Sequence, residues 1–204
     1  MKPLLLLVSI SLFIGIYHLP HSNVPIIPNS AEAVNLEATR LSSKAALLKN
    51  YAASKGFSTQ YGFLADMRLP SGRKRFFIYD LQADSVIVSG LVAHGSCGAF
   101  YMEEAQFSNN PGIGCSSSGK YRIGYAYQGR FGKAYKLFGL DSSNSAAFQR
   151  NVVLHSYSGV PDKEVFPEPI CNSLGCPMVS PPFLERASTY ISRSEKPVLL
   201  WIFK

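Results

Sequence analysis

His155 and Cys176 are the two side chains whose types and setting could do nucleophilic chemistry together. His155-Ser156 follows the apolar run Val152-Val153-Leu154, so the imidazole stands at the end of a predicted strand. Ser173-Leu174-Gly175-Cys176-Pro177 reads as a tight glycine-containing turn that ends in a thiol. Seventeen residues separate His155 from Ser173, and Pro161, Pro167 and Pro169 make that spacer a loop. A thiol with a pKa of about 8.5 is only a few per cent thiolate at pH 7. An adjacent imidazole that lowers this value by roughly two pH units supplies about 2.7 kcal/mol of differential stabilisation. A glycine before the thiol lets the chain turn sharply, so that two successive N–H groups can face a developing oxyanion. Taken alone, a lone His and a lone Cys are more often structural than catalytic.

The other thiols are Cys97, Cys115 and Cys171. Cys97 and Cys115 lie in neighbouring loops and could form a bridge; two buried free thiols are the alternative. Cys171 could bond reversibly with Cys176 or stand as a spectator. His94 ends a predicted strand and either lines a cleft or serves as a hydrogen-bonded structural group. A zinc site can be drawn from His94, Cys97, Cys115 and Cys171, but it lacks the paired spacing of structural zinc sites. No metal and no cofactor is therefore expected.

The elements that must position these groups are mostly strands. Arg75–Leu81, Ser85–Ala93, Lys120–Gln128, Ala134–Leu140, Asn151–Tyr157 and Val198–Phe203 are β-branched and aromatic, separated by polar or glycine-rich turns. In Lys120–Gln128, strict alternation puts Tyr121, Ile123, Tyr125 and Tyr127 on one face, as core or groove wall. Short helices are predicted at Ser143–Gln149 and Pro182–Ser192. Residues 34–70 read as a helical N-terminal segment, with Leu36, Leu41, Ala45, Leu48 and Tyr51 as its stripe and Gly56 as its C-cap. Residues 71–204 then form a mainly β catalytic domain, sandwich or barrel-like, with a few peripheral helices. The loop 158–171, with Asp162, Glu164 and Glu168, is long enough to act as a lid.

Residues 1–33 read as an address. Lys2 precedes the uncharged run Leu4–Tyr17, which has signal-peptide length, and Ala31-Glu32-Ala33 fits a cleavage site. An uncleaved segment would tether the chain to a membrane. Export to the periplasm or cell envelope follows, and with it a compartment that permits disulfides. The chain has 204 residues and a formal net charge of +7, from 20 Lys+Arg against 13 Asp+Glu. Removing residues 1–33 takes away Lys2 and Glu32 together and leaves 19 against 12, still +7. This balance suits an anionic wall rather than nucleic acid, because the densest basic cluster, Arg73-Lys74-Arg75, is only three residues and reads as a solvated turn.

Together these motifs resemble the L,D-transpeptidases, the YkuD-like catalytic domain of bacterial wall enzymes. Their signature is a His, a spacer of this length, then Ser/Thr-His-Gly-Cys; here His155 precedes Ser173-Leu174-Gly175-Cys176. Val92-Ala93-His94-Gly95, Phe107-Ser108-Asn109, Ser116-Ser117-Ser118-Gly119-Lys120-Tyr121, Gly139-Leu140-Asp141, Arg150 and Gly175-Cys176-Pro177 point to the murein L,D-transpeptidase branch. The resemblance runs from about residue 75 to 180 and does not extend into residues 34–70. It implies that Cys176 forms a thioester with a peptidoglycan tetrapeptide stem, releases D-alanine, and passes the acyl group to an amine or to water. It implies His155 as base and then acid, with the Ser156 carbonyl orienting its ring. Gly175 and Cys176 N–H groups would form the oxyanion hole. His94, Ser108, Asn109 and Ser173 would bind substrate. The second motif His is replaced by Leu174, which cannot hydrogen-bond to substrate, and Met178 stands where an Asn is often found.

Two other readings remain open at this point. One is a hydrolase, carboxypeptidase or amidase, on the same fold; the other is a non-catalytic wall-binding module. A papain-like or NlpC-like endopeptidase is disfavoured, because those families place Cys before His. The chain is expected to be a monomer.

Overall fold

The computed structural model describes residues 30–204. The export signal expected over residues 1–33 therefore lies almost wholly outside the described residues. Among the described residues no helix is long and apolar enough to cross a membrane.

The chain runs α1 (Ser30–Lys55), β1 (Tyr61–Asp66), β2 (Phe76–Asp80), β3 (Ser85–Gly90), β4 (Gly119–Gly129), β5 (Gly132–Gly139), β6 (Val153–Ser156), β7 (Met178–Val179), α2 (Pro181–Arg193) and β8 (Leu199–Phe203). The strands form one sheet in the order β3-β2-β1-β8-β4-β5-β6-β7. The β1–β8 and β6–β7 pairs are parallel and the others antiparallel. Beyond β3 the chain reaches the far edge, where Ala93 bridges to Met178. That bridge joins the two ends of the sheet and makes the architecture barrel-like, as the strand count predicts.

The inner face carries the main core. Phe63, Phe76, Tyr121, Leu137, Leu154 and Leu200 converge there with Phe183, Leu184 and Ala187 of α2. Helix α2 starts where the proline pair demands. Ser180 is its N-cap and accepts the Phe183 N–H, with Pro181-Pro182 in the first turn, where the missing N–H groups have no intrahelical partner to lose. On the outer face α1 lays Leu41, Ala45, Leu48 and Ala52 across Leu64, Tyr79, Leu81, Leu199 and Phe203. An ion pair from Arg40 to Asp66 ties α1 to β1.

Several expectations need correction. The helical reading of residues 34–70 fails at Tyr61–Asp66, which is a central strand paired on both sides. Its run Tyr-Gly-Phe-Leu-Ala-Asp is too short to declare a period, and burial on both faces removes the alternation that marks a strand. Leu36 is not on the α1 stripe and is 63% exposed; Ala52 takes the buried place next to Tyr51. The helix expected at Ser143–Gln149 is only a 3-10 turn over Ser142–Asn144 followed by turns. There the side chains of Asp141 and Asn144 bond to Lys120 backbone groups rather than supporting a helix. Arg75 is not part of a solvated turn. It is fully buried and donates to Val92 O, Leu69 O and His94 Nδ1.

The tyrosine face is divided by a β-bulge. Ile123 pairs with Leu137, but Ala126 pairs with Tyr135, so β4 carries one extra residue between them. One extra residue reverses side-chain parity. Tyr121 and Ile123 therefore enter the core, while Tyr125 and Tyr127 emerge on the opposite, exposed face.

Candidate active site

Strands β4 to β7 bring the chemistry together by register. Tyr127 pairs with Ala134, Ala134 with His155, and His155 with Met178. Paired residues project to the same face, so these side chains form one row across the sheet. The Ser173–Cys176 turn leads directly into β7, which places Cys176 at the end of that row. A cleft of about 1020 Å³ opens over it, lined by His155 and Cys176 together with Tyr127, Phe131, Tyr157 and Leu174.

His155 is 7% exposed. Its Nδ1 lies 3.0 Å from the Ser156 carbonyl oxygen, so Nδ1–H donates and Nε2 keeps its lone pair. The Phe131 ring stacks on the imidazole, with centroids 5.5 Å apart and planes at 20°. Tyr157 meets Phe131 edge-on from the other side. Burial pushes the His155 pKa below 6.5, and the Ser156 bond opposes this. Burial likewise pushes the Cys176 thiol up, against the Val153 backbone, Arg150 and Lys136, which favour the thiolate. The sequence leads one to expect a resting thiolate–imidazolium pair. Burial works against that pair, because it disfavours both charged forms.

Gly175 has φ 112°, a conformation that a side chain disfavours. A Cβ there would also lie 2.6 Å from the Cys115 carbonyl oxygen, so the turn needs glycine on both counts. The Gly175 N–H, expected to face an oxyanion, donates instead to Ser173 Oγ at 3.0 Å. Ser173 lines the cleft but its hydroxyl braces the motif turn. Beneath the turn, Arg150 donates to the carbonyls of Ser108 and Cys115 and to Ser117 Oγ. Cys97 and Cys115 are joined in a disulfide, which anchors the same loop.

His94 does not line the cleft. It is 0% exposed, with Nδ1 accepting from Arg75 at 2.8 Å and Nε2–H donating to Met102 O at 3.1 Å. Burial, followed by the Arg75 charge, lowers its pKa to about 4. Asn172 completes the arrangement, donating to Met102 O at 2.9 Å and accepting from Met102 N at 2.6 Å. His94 thus supports the cleft lip from beneath. Ser108 and Asn109 are likewise structural. The Ser108 carbonyl accepts from Arg150, and the Asn109 amide bonds Ser142 O, Ser145 Oγ and Ala146 N. The zinc set drawn from the sequence is dissolved by the disulfide and by the two hydrogen bonds of His94.

The loop 158–171 is clamped rather than poised as a lid, and of its residues Cys171 lines the cleft. Asp162 accepts from Ser180 and Arg186, Glu164 from Lys74 N, and Ile170 N donates to Ser71 Oγ. Cys171, at its end, is a free thiol on the cleft wall.

Sequence reasoning missed Phe131, Tyr157 and Lys136. For Phe131 a signal existed: Gly129-Arg130-Phe131-Gly132 is a hairpin tip, and an aromatic on such a tip has no core to enter.

Among solved structures, the helical cell shape determining protein Pgp2 from Campylobacter jejuni aligns over 71% of this chain and 47% of its own, at 12% identity and TM-score 0.45. An L,D-transpeptidase from Mycobacterium smegmatis aligns over 71% of this chain and 59% of its own, at 11% identity and TM-score 0.41. The Ldtfm–avibactam carbamoyl enzyme aligns over 71% and 49%, at 10% identity and TM-score 0.41. The chain thus spans about half the length of these proteins. No curated protein matches it. The family model of the L,D-transpeptidase catalytic domain matches residues 32–201, nearly the whole described chain, and the chain belongs to that family.

Proposed function

We propose that this chain is an exported cysteine acyltransferase of the cell envelope that acts on peptidoglycan tetrapeptide stems. The observation that carries the reading is the shared cleft. It holds a thiol and an imidazole whose Nδ1 is committed to a backbone carbonyl, which leaves Nε2 as the base.

In the reaction, His155 Nε2 takes the Cys176 proton as Sγ attacks the carbonyl of the L-centre–D-centre bond. Proton transfer accompanies attack, since burial disfavours a free thiolate and a free imidazolium alike. The oxyanion meets the Cys176 N–H, and the Gly175 N–H joins once it leaves Ser173 Oγ. The imidazolium returns its proton to the departing amine of D-alanine, and a thioester remains. An acceptor amine, or water, then attacks the thioester with His155 again as base, and the thiol is regenerated. No metal or cofactor is needed for any step.

A hydrolytic outcome on the same thioester is the second reading. Apart from His155, the charged residue among the cleft-lining residues is Arg130, and no lining carboxylate pairs with an acceptor ammonium. Leu174, 85% exposed where the common motif has His, adds no polar contact. Both features favour water as a competing acceptor.

The test uses a defined tetrapeptide donor with and without an amine acceptor, followed by intact mass of the protein and analysis of products. Wild type should accumulate a Cys176 acyl adduct and release D-alanine; Cys176→Ala should do neither. A carbapenem should likewise add to Cys176. Turnover that survives Cys176→Ala, or a folded wild type that never acylates, overturns the reading.

A further inference from the structure

Lys136 is an ammonium group placed where an ammonium group is costly. It lies in mid-β5 and is 6% exposed. Its pairing partner across the ladder is Val153, and two pairs along Ala134 faces His155. The side chain therefore rises from the same face of the sheet as the imidazole, on the face that opens into the cleft. Its Nζ donates to Asn151 Oδ1 at 2.9 Å and sits 4.7 Å from the centroid of the Phe148 ring. Among the described residues no carboxylate pairs with it. Burial of a cation without a counterion is unfavourable, and structures retain such groups when an anion compensates them.

Asn151 links this cation to the thiol. Its side chain holds Lys136 and its backbone carbonyl lies 3.9 Å from Cys176 Sγ. The residue sits at φ 57°, so its backbone is turned specifically to present both groups. Among the described residues Arg150 too pairs with no carboxylate; three oxygens, of Ser108, Cys115 and Ser117, occupy its guanidinium. Lys136 thus reaches the sulfur through Asn151 and Arg150 lies beneath the Gly175 turn, and an ionised thiol would supply the negative charge that both lack.

We propose that Lys136, held by Asn151, is a positioning residue that stabilises the Cys176 thiolate electrostatically during attack, with Arg150 as its companion. This rests on Cys176 being the nucleophile. The division of labour is physical. His155 removes the proton, whereas Lys136 stabilises the negative charge that removal leaves on sulfur. In a cleft where burial opposes the thiolate, the base alone meets the full desolvation cost. A fixed cation lowers that cost without reorganising. Burial lowers the Lys136 pKa, and the Cys176 thiolate raises it, which is the reciprocal of the thiol's own response to Lys136. The titratable and charged groups that act electrostatically on Cys176 are Lys136 from β5, Arg150 from the loop before β6 and Tyr121 from β4, and His155 from β6 shares its cleft.

The experiment is a thiol titration in a Cys171→Ser background, so that Cys176 is the free thiol. Thiolate absorbance and the rate of alkylation by iodoacetamide are followed against pH. Lys136→Met should raise the titration midpoint by roughly one pH unit and slow alkylation at pH 7 about tenfold. Lys136→Arg, which keeps the charge, should recover most of the rate. Asn151→Gly tolerates the positive φ and removes the amide that holds Lys136, so it should shift the midpoint in the same direction by less. Near-ultraviolet circular dichroism reports whether each variant is folded; if Lys136→Met is not, Asn151→Gly decides. Folded variants that titrate like the parent overturn the proposal. Alkylation needs no substrate, so this outcome is separate from the donor assay. A wild type inert toward donor defeats the functional reading while leaving the Lys136 assignment to the titration.

Discussion

At the scale of single residues, the molecule separates histidines by what their ring nitrogens can reach. His155 spends Nδ1 on a carbonyl and keeps Nε2 free, whereas His94 spends both nitrogens inside the protein. The consequence for His94 is a pH-dependent stability. Its folded pKa is about 4 against 6.5 for the ordinary imidazole, so between those values the unfolded chain binds the extra proton. Stability from this group is complete above pH 6.5, falls as pH drops through that window, and is lost below about 4. Urea unfolding of wild type should therefore show a clear loss between pH 7 and pH 4.5. His94→Gln, which cannot titrate, should show a smaller one. Equal losses in the two proteins would rule out His94 as the source. The role of His94 could not be assigned from its neighbours in sequence, since Arg75 and Met102 approach it only in the fold.

At the scale of elements, the β4–β5 hairpin decides the character of the cleft. Its bulge sends Tyr127 to the cleft face, and its tip delivers Phe131 onto the His155 imidazole. A ring held by one hydrogen bond can still rotate about that contact, and the stacked Phe131 limits this. Phe131→Ala should leave the fold intact and slow single-turnover acylation about tenfold, because misorientation of a base costs rate before it costs binding. Phe131→Tyr should keep most of the rate. Retention of full acylation in Phe131→Ala would show that the stacking is incidental. The same hairpin marks the limit of pattern reading. The strand boundaries were legible from β-branched and aromatic runs, but one inserted residue inverts the face of everything beyond it. Nothing in the Tyr-Arg-Ile-Gly-Tyr-Ala-Tyr run announces that insertion except its glycine, Gly124.

At the scale of the whole molecule, two apolar faces of one sheet must be covered, and the two helices divide the task. Helix α2 fills the inner face and α1 the outer. The α1 seam is remote from the cleft, so its loss should separate stability from chemistry. Leu48, fully buried against the outer face, is the central contact. Leu48→Ala should cost about 3 kcal/mol in denaturant unfolding, while the folded fraction acylates at the wild-type rate. A matching loss of rate would mean that α1 transmits strain to the cleft.

The sequence by itself singled out His155 and Cys176 as the candidate pair, the order in which they occur, the strand-rich architecture and the helix-start chemistry of α2. These depend on residue type, spacing and short-range pattern. It also placed Cys97 and Cys115 in neighbouring loops, where a bridge was one of two outcomes. Only the tertiary structure decided that Tyr61–Asp66 is a central strand, that His94 and Asn109 are supports rather than wall, and that the loop 158–171 is clamped. It alone joined Lys136 to Asn151, whose carbonyl oxygen lies beside the Cys176 sulfur. The reason is common to all of these. Burial and partner choice are set by ladders between segments far apart in the chain, and desolvation, which works against both charged forms of the pair, exists only once those segments have closed around the site.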